Sequence, residues 1–129
     1  MFATQISIVV ADDDTSVRTS LGDAFTSIGL SVHTAAIGDE MIAMALLHTP
    51  PVVVAVLRST TRGPGEVRKL MTTPTRPSVV VVSPQASQRH RQDLVAAGAS
   101  AVLYRTTDNP VPIVVGLLRN LGYQDARWG

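Results

Sequence analysis

Four short runs of apolar, largely β-branched residues are spaced along the chain, at 6–11 (ISIVVA), 52–57 (VVVAVL), 79–82 (VVVV) and Ala101–Tyr104. Each is short enough for a strand, and none alternates cleanly between apolar and polar. A strand that is apolar on both faces must be covered on both faces, as in the interior of a parallel sheet. A fifth segment, Ser31–Ala35, alternates more weakly.

Between these runs the apolar spacing changes to three and four residues. Val17, Leu21, Ala24, Phe25 and Ile28 form one helical stripe, with Asp14 or Thr15 as N-cap and Gly29 as the stop. Met41, Ile42, Ala45 and Leu46 form a second stripe, ended by Pro50 and Pro51, in which Met41 and Met44 read as ordinary packing. Val67, Leu70 and Met71 give a short third, residues 87–97 a fourth ended by Gly98, and residues 110–121 a fifth ended by Gly122. Strand and helix thus alternate five times. The expectation is a flavodoxin-like (βα)5 fold: a doubly wound parallel sheet in order 2-1-3-4-5 inside three α/β/α layers. One domain over 1–122 with a loose tail at 123–129 completes this reading.

The 129 residues suffice for one core, and with five aromatic residues it must be built from aliphatic side chains. The absence of cysteine excludes disulfides and thiolate chemistry. "MFATQ" does not resemble a secretory signal, and no apolar run nears the ~20 residues of a membrane span. The expected location is cytoplasmic. The net charge of +1 hides an uneven distribution: residues 1–50 hold six acids and one base (−5), residues 51–129 ten bases and four acids (+6). The bases are scattered singly, no helix carries a basic stripe and stacking aromatics are scarce, so nucleic acid is not an expected partner.

In a sheet of this kind ligands sit beyond the carboxyl ends of the strands. Asp12, Asp13 and Asp14 follow the first strand there, and capping explains only one of them. A positive partner is expected. Arg105, at the end of the fifth strand, comes first, with Arg58 or Arg62 second, since a guanidinium can hold a carboxylate bidentately without a metal. The bland alternative leaves Arg105 in solvent and water on the acids. His33, His48 and His90 read as surface residues rather than ligands. "RSTTRG" could form an anion loop, though a solvated loop explains it as well.

Five segments, in order, resemble a response-regulator receiver domain of two-component signalling, over residues 6–121. "IVVADDDTSVR" places Asp12 and Asp13 where that family holds its magnesium. "AAIGDEMIAMALLHTPP" matches the stretch before the third strand, Gly65 the loop glycine, Ser83 the switch hydroxyl, and "LVAAGASAVLYR" the approach to the fifth strand. The resemblance implies a signalling module, not an enzyme. It also implies where this chain departs. Leu57 stands at the phosphoacceptor aspartate, Thr60 and Thr61 replace Met-Pro, Arg105 replaces the lysine and is followed by Thr106, and Val102 takes the aromatic switch position. No acid lies between Glu40 and Glu66.

A leucine cannot act as the nucleophile, and magnesium needs more oxygen ligands than Asp12 and Asp13 supply. The expectation is therefore a stand-alone atypical receiver, a pseudoreceiver, with no cofactor and at most weak magnesium binding at Asp12 and Asp13. Its degenerate acidic pocket comprises Asp12, Asp13, Leu57, Ser83 and Arg105. It would work by contact with a protein partner, a histidine kinase or another regulator. One alternative is a receiver phosphorylated on another acid near Asp12–Asp14. A further one is a haloacid-dehalogenase-type phosphatase using the D-x-D of Asp12 and Asp14, which lacks a lysine after Ser83 and a later acidic pair. Finally, residues 110–121 place Val114, Leu117, Leu118 and Leu121 on one buried stripe, leaving Ile113, Val115 and Gly116 as an apolar margin. That margin suggests a homodimer through the fourth helix, fifth strand and fifth helix.

Overall fold

The computed structural model describes residues 5–59, 62–84, 87–105 and 108–128. Five strands, β1 (Ser7–Ala11), β2 (Ser31–Ala35), β3 (Val52–Val56), β4 (Ser78–Ser83) and β5 (Ala101–Tyr104), alternate with five helices. These are α1 (Thr15–Thr26), α2 (Asp39–His48), α3 (Pro64–Met71), α4 (Gln88–Ala97) and α5 (Pro110–Asn120), and a 3-10 turn follows at Ala126–Trp128. The strands are all parallel, in the expected order β2-β1-β3-β4-β5.

Successive strand residues point to opposite faces of the sheet. One face carries Val9, Val53, Ala55, Val79 and Val81 against Met41 and Ala45 of α2, Val67 and Leu70 of α3, and Leu94 of α4. The other carries Ile8, Val10, Val54, Val80 and Val82 against Phe25 of α1 and Val114 and Leu118 of α5. Two separate cores explain why the strand sequences read as unbroken apolar runs. β1 begins one residue later than its apolar run, at Ser7. Leu57 lies past the end of β3, yet its N–H still donates to the Val82 carbonyl at 2.8 Å.

Local signals set the helix ends. Asp14, not Thr15, caps α1: its Oδ1 accepts the Ser16 and Val17 N–H groups at 3.0 and 3.3 Å. Gly29, at φ +90°, makes the turn after α1 in backbone conformation that favours glycine.

Two expectations fail at the carboxyl end of the chain. On α5, Val115 is buried with Val114 and Leu118, whereas Leu121 is 53% exposed. Val115 therefore packs inside and drops out of the apolar margin, which keeps Ile113 and the half-buried Gly116. Nor do the described residues of 123–129 behave as a loose tail. The Trp128 ring packs on the α1/α5 core, its Nε1–H donates to the Ile28 carbonyl at 3.1 Å, and Arg119 donates to the Trp128 carbonyl at 3.0 Å.

Candidate functional site

β1 delivers Asp12 to the carboxyl edge of the sheet fully buried. A buried carboxylate needs compensation for the water it has lost. Arg58 supplies it as a two-pronged guanidinium: Nε donates to Asp12 Oδ1 at 2.9 Å and Nη2 to Oδ2 at 2.6 Å. Oδ1 also accepts the Asp14 N–H at 2.9 Å. The hydrogen bond to Asp12 holds the Arg58 guanidinium above its usual pKa, against the opposing effect of desolvation.

Asp13 is handled separately and more loosely. Its Oδ1 accepts the Ile37 N–H at 3.0 Å, and Oδ2 faces Arg62 Nη1 at 3.4 Å. Arg62 also donates to the Ile37 carbonyl at 3.3 Å. Asp14 spends its Oδ1 on the helix cap, and Arg58 Nη2 stands 3.9 Å from its Oδ2. The Ser16 hydroxyl, followed by the Val17 N–H, lowers the Asp14 carboxyl below the usual range. The three aspartates therefore find side-chain and backbone donors: Arg58 and Arg62 from the β3–α3 loop offset the charges of Asp12 and Asp13, while Asp14 serves the α1 cap.

Arg105, the first-ranked partner in the sequence reading, is not among these donors. It is exposed and forms no side-chain hydrogen bond or ion pair with the described residues. Strand order gives the reason. β3 lies next to β1, about 4.8 Å away, so the residue following Leu57 reaches back to Asp12; β5 lies three strands from β1, and Arg105 lines the groove between α1 and α5 instead. The order 2-1-3-4-5 expected from sequence already contained this information.

Leu57 is buried, packed into the core under α2, α3 and α4 while also lining a small cleft beside Asp13. A Cβ on Gly63, at φ +129°, would lie 2.7 Å from Leu57 Cδ1, so only glycine admits this packing. Ser83 is buried at the end of β4. A cleft of about 130 Å³ between Asp13, Ile37, Leu57, Arg58, Ser59 and Arg62 is what the site leaves open.

A divalent cation does not fit these side chains as they stand. Both Asp12 oxygens are bound by a guanidinium, and both Asp13 oxygens already face donors. Magnesium demands near-octahedral oxygen coordination, and among the described residues no group of three acidic or histidine side chains converges on a metal position.

The histidines depart from the surface reading. His90 is buried on α4, with Nε2 3.1 Å from the Arg62 carbonyl, tying the β3–α3 loop to α4. His33 of β2 and His48 of α2 stack with ring centroids 3.5 Å apart and planes within 5°. Desolvation first, and the neighbouring His48 second, lower the His33 pKa. Residues fifteen positions apart give no local pattern; only the packing of α2 on β2 brings them together.

No family model matches the sequence, and no curated protein matches it. Solved structures do. A response regulator receiver domain protein (CheY-like) from Methanospirillum hungatei JF-1 aligns with a TM-score of 0.79 and 20% identity, over 92% of this chain and 95% of that one. The chemotaxis protein CheY4 of Vibrio cholerae aligns with a TM-score of 0.77 and 22% identity, over 90% of this chain and 98% of that one. A response regulator from Burkholderia pseudomallei, holding a phosphorylated aspartic acid and a calcium ion, aligns with a TM-score of 0.77 and 19% identity, over 92% and 69%. The chain thus has the CheY-like, flavodoxin-like fold of response-regulator receiver domains.

Proposed function

We propose that the chain is a pseudoreceiver: a signalling module that works by protein contact and not by accepting a phosphoryl group. One observation carries this reading. At the carboxyl edge of the sheet Arg58 clasps the fully buried Asp12, while Leu57, the residue in the phosphoacceptor position, is packed into the core. A phosphoryl acceptor must present a nucleophilic oxygen, and a leucine side chain has none. The guanidinium stands in for the cation that paired acids require, so the pocket is neutralised by the chain itself.

The same contacts argue against the two enzymatic or phosphorylatable alternatives. A D-x-D nucleophile would need free oxygens on Asp12, where both are engaged, and Asp14 is committed to capping α1. With Arg58 holding Asp12 and Arg62 holding Asp13 and the Ile37 carbonyl, this edge of the sheet is the surface the module would present to a partner, a histidine kinase or another regulator. We place it in the cytoplasm; among the described residues no helix is long and apolar enough to cross a membrane. A homodimer through α4, β5 and α5 would use Ile113 and Gly116, joined by Val95, which is 54% exposed.

A magnesium titration followed by amide NMR tests the reading. Residues 12–14 and 57–59 should show no saturable shifts at millimolar magnesium. Saturable shifts centred on Asp12 and Asp13 would overturn it.

A further inference from the structure

We propose that the groove between α1 and α5 binds a small organic acid, an apolar molecule bearing a single carboxylate. This groove lies under the α1/α5 layer, with the strand ends Val56 and Val82 among its lining residues. It is an open groove of about 420 Å³, within the size range of small-molecule sites. The proposal is independent of the pseudoreceiver reading.

The shape follows from side-chain size. Where α1 faces α5 above the ends of β3 and β4, it offers Val17, Ser20, Leu21 and Ala24. Serine and alanine leave room that larger side chains would fill. Val56 and Val82 keep 3% and 5% exposure, whereas Val54 and Val80, one alternation deeper, keep none. Leu21 and Val111 supply apolar walls from the two helices. Such a cleft suits an apolar body of modest length.

The rim selects the charge. Asn109 Oδ1 is taken by the Val111 N–H at 3.0 Å, and Asp108 Oδ2 by the Tyr104 N–H at 2.8 Å. Pro110 and Pro112, in the first turn of α5, have no N–H to offer. This helix start therefore lacks the row of donors that cradles a phosphate, and the Asp108 carboxylate opposes a multiply charged anion. The Ser20 hydroxyl and the Asn109 amide are neutral donors; the cation among the described lining residues is the Arg105 guanidinium, without a side-chain hydrogen bond or ion pair to the described residues. A guanidinium fork matches one carboxylate bidentately. Apolar walls with one available cation at the mouth thus complement a monocarboxylate.

The test is a ¹H–¹⁵N NMR titration of the whole chain with octanoate, octanamide and octylamine. Octanoate should give saturable shifts on both walls, along 17–24 of α1 and at the start of α5. Octanamide should bind about fivefold more weakly or worse, because it lacks the charge that Arg105 meets. Arg105→Gln, at an exposed position, should reduce octanoate to the affinity of octanamide. Ala24→Met, which fills the groove, should abolish binding of both. Absence of saturable octanoate shifts, octylamine binding as well as octanoate, or an Arg105→Gln variant with parental affinity would overturn the assignment.

Discussion

Arg58→Ala removes the guanidinium and leaves the Asp12 carboxylate buried with the Asp14 N–H as its remaining donor among those described. Breaking one side of a buried ion pair costs about 3–5 kcal/mol. The Arg58 side chain is 29% exposed, so solvent already screens part of the interaction and the expected loss falls to about 2–4 kcal/mol. For a domain of this size that corresponds to a fall in Tm of roughly 10 °C. Arg58→Lys should fall between parent and alanine variant, since it keeps the charge but not the two-pronged geometry. Removing the arginine also frees the oxygens of Asp12 beside Asp13. Millimolar magnesium should therefore raise the Tm of Arg58→Ala by more than that of the parent. The assay is thermal unfolding by circular dichroism, with and without magnesium. Equal melting temperatures for parent and Arg58→Ala, unmoved by magnesium, would refute the claim that this arginine replaces a cation.

Further outcomes follow from other contacts. Because the folded-state pKa of His33 lies below its ordinary value of 6.5, the folded protein binds that proton less readily than the unfolded chain. Stability from the His33–His48 stack is then present above about 6.5 and lost as the pH falls below it; His33→Gln should flatten the pH dependence of Tm across this window. Trp128→Ala should cost about 2 kcal/mol, less than for a fully buried tryptophan, and the emission of this single Trp should be blue-shifted in the parent. Ile113→Glu should convert a dimer to a monomer in light scattering while leaving the Tm nearly unchanged. Val115→Glu should instead unfold the domain, because that side chain is buried.

The sheet was legible because its chemistry is local and repeated. Strands covered on both faces read as apolar runs, and Gly29, Gly98 and the Pro50–Pro51 pair punctuate the helices between them. The acidic cluster was legible too, since Asp12, Asp13 and Asp14 are neighbours in sequence and too crowded to be explained by one cap. Its partners, Arg58 and Arg62, were legible only as second candidates behind Arg105. Arg58 and Arg105 both follow apolar strands, and only the count of strands separating each from β1 tells them apart. Contacts between distant segments left no pattern at all: His33 meets His48 through α2 packing on β2, and Trp128 reaches Ile28 across the α1/α5 layer. The margin on α5 failed for a subtler reason. A helical wheel gives angles but not the width of the buried face, which here takes in Val115; nor does it give the helix end, and Leu121 is the C-cap beyond Asn120, 53% exposed.

The central claim, that a leucine and an arginine have taken over a phosphoacceptor pocket, is tested most directly by mass. The protein is incubated with acetyl phosphate and magnesium beside a phosphorylatable receiver, and both intact masses are measured at once. The account predicts a modified control and an unmodified chain. An acid-labile phosphoryl adduct on this chain, mapping to Asp12, Asp13 or Asp14, would contradict it.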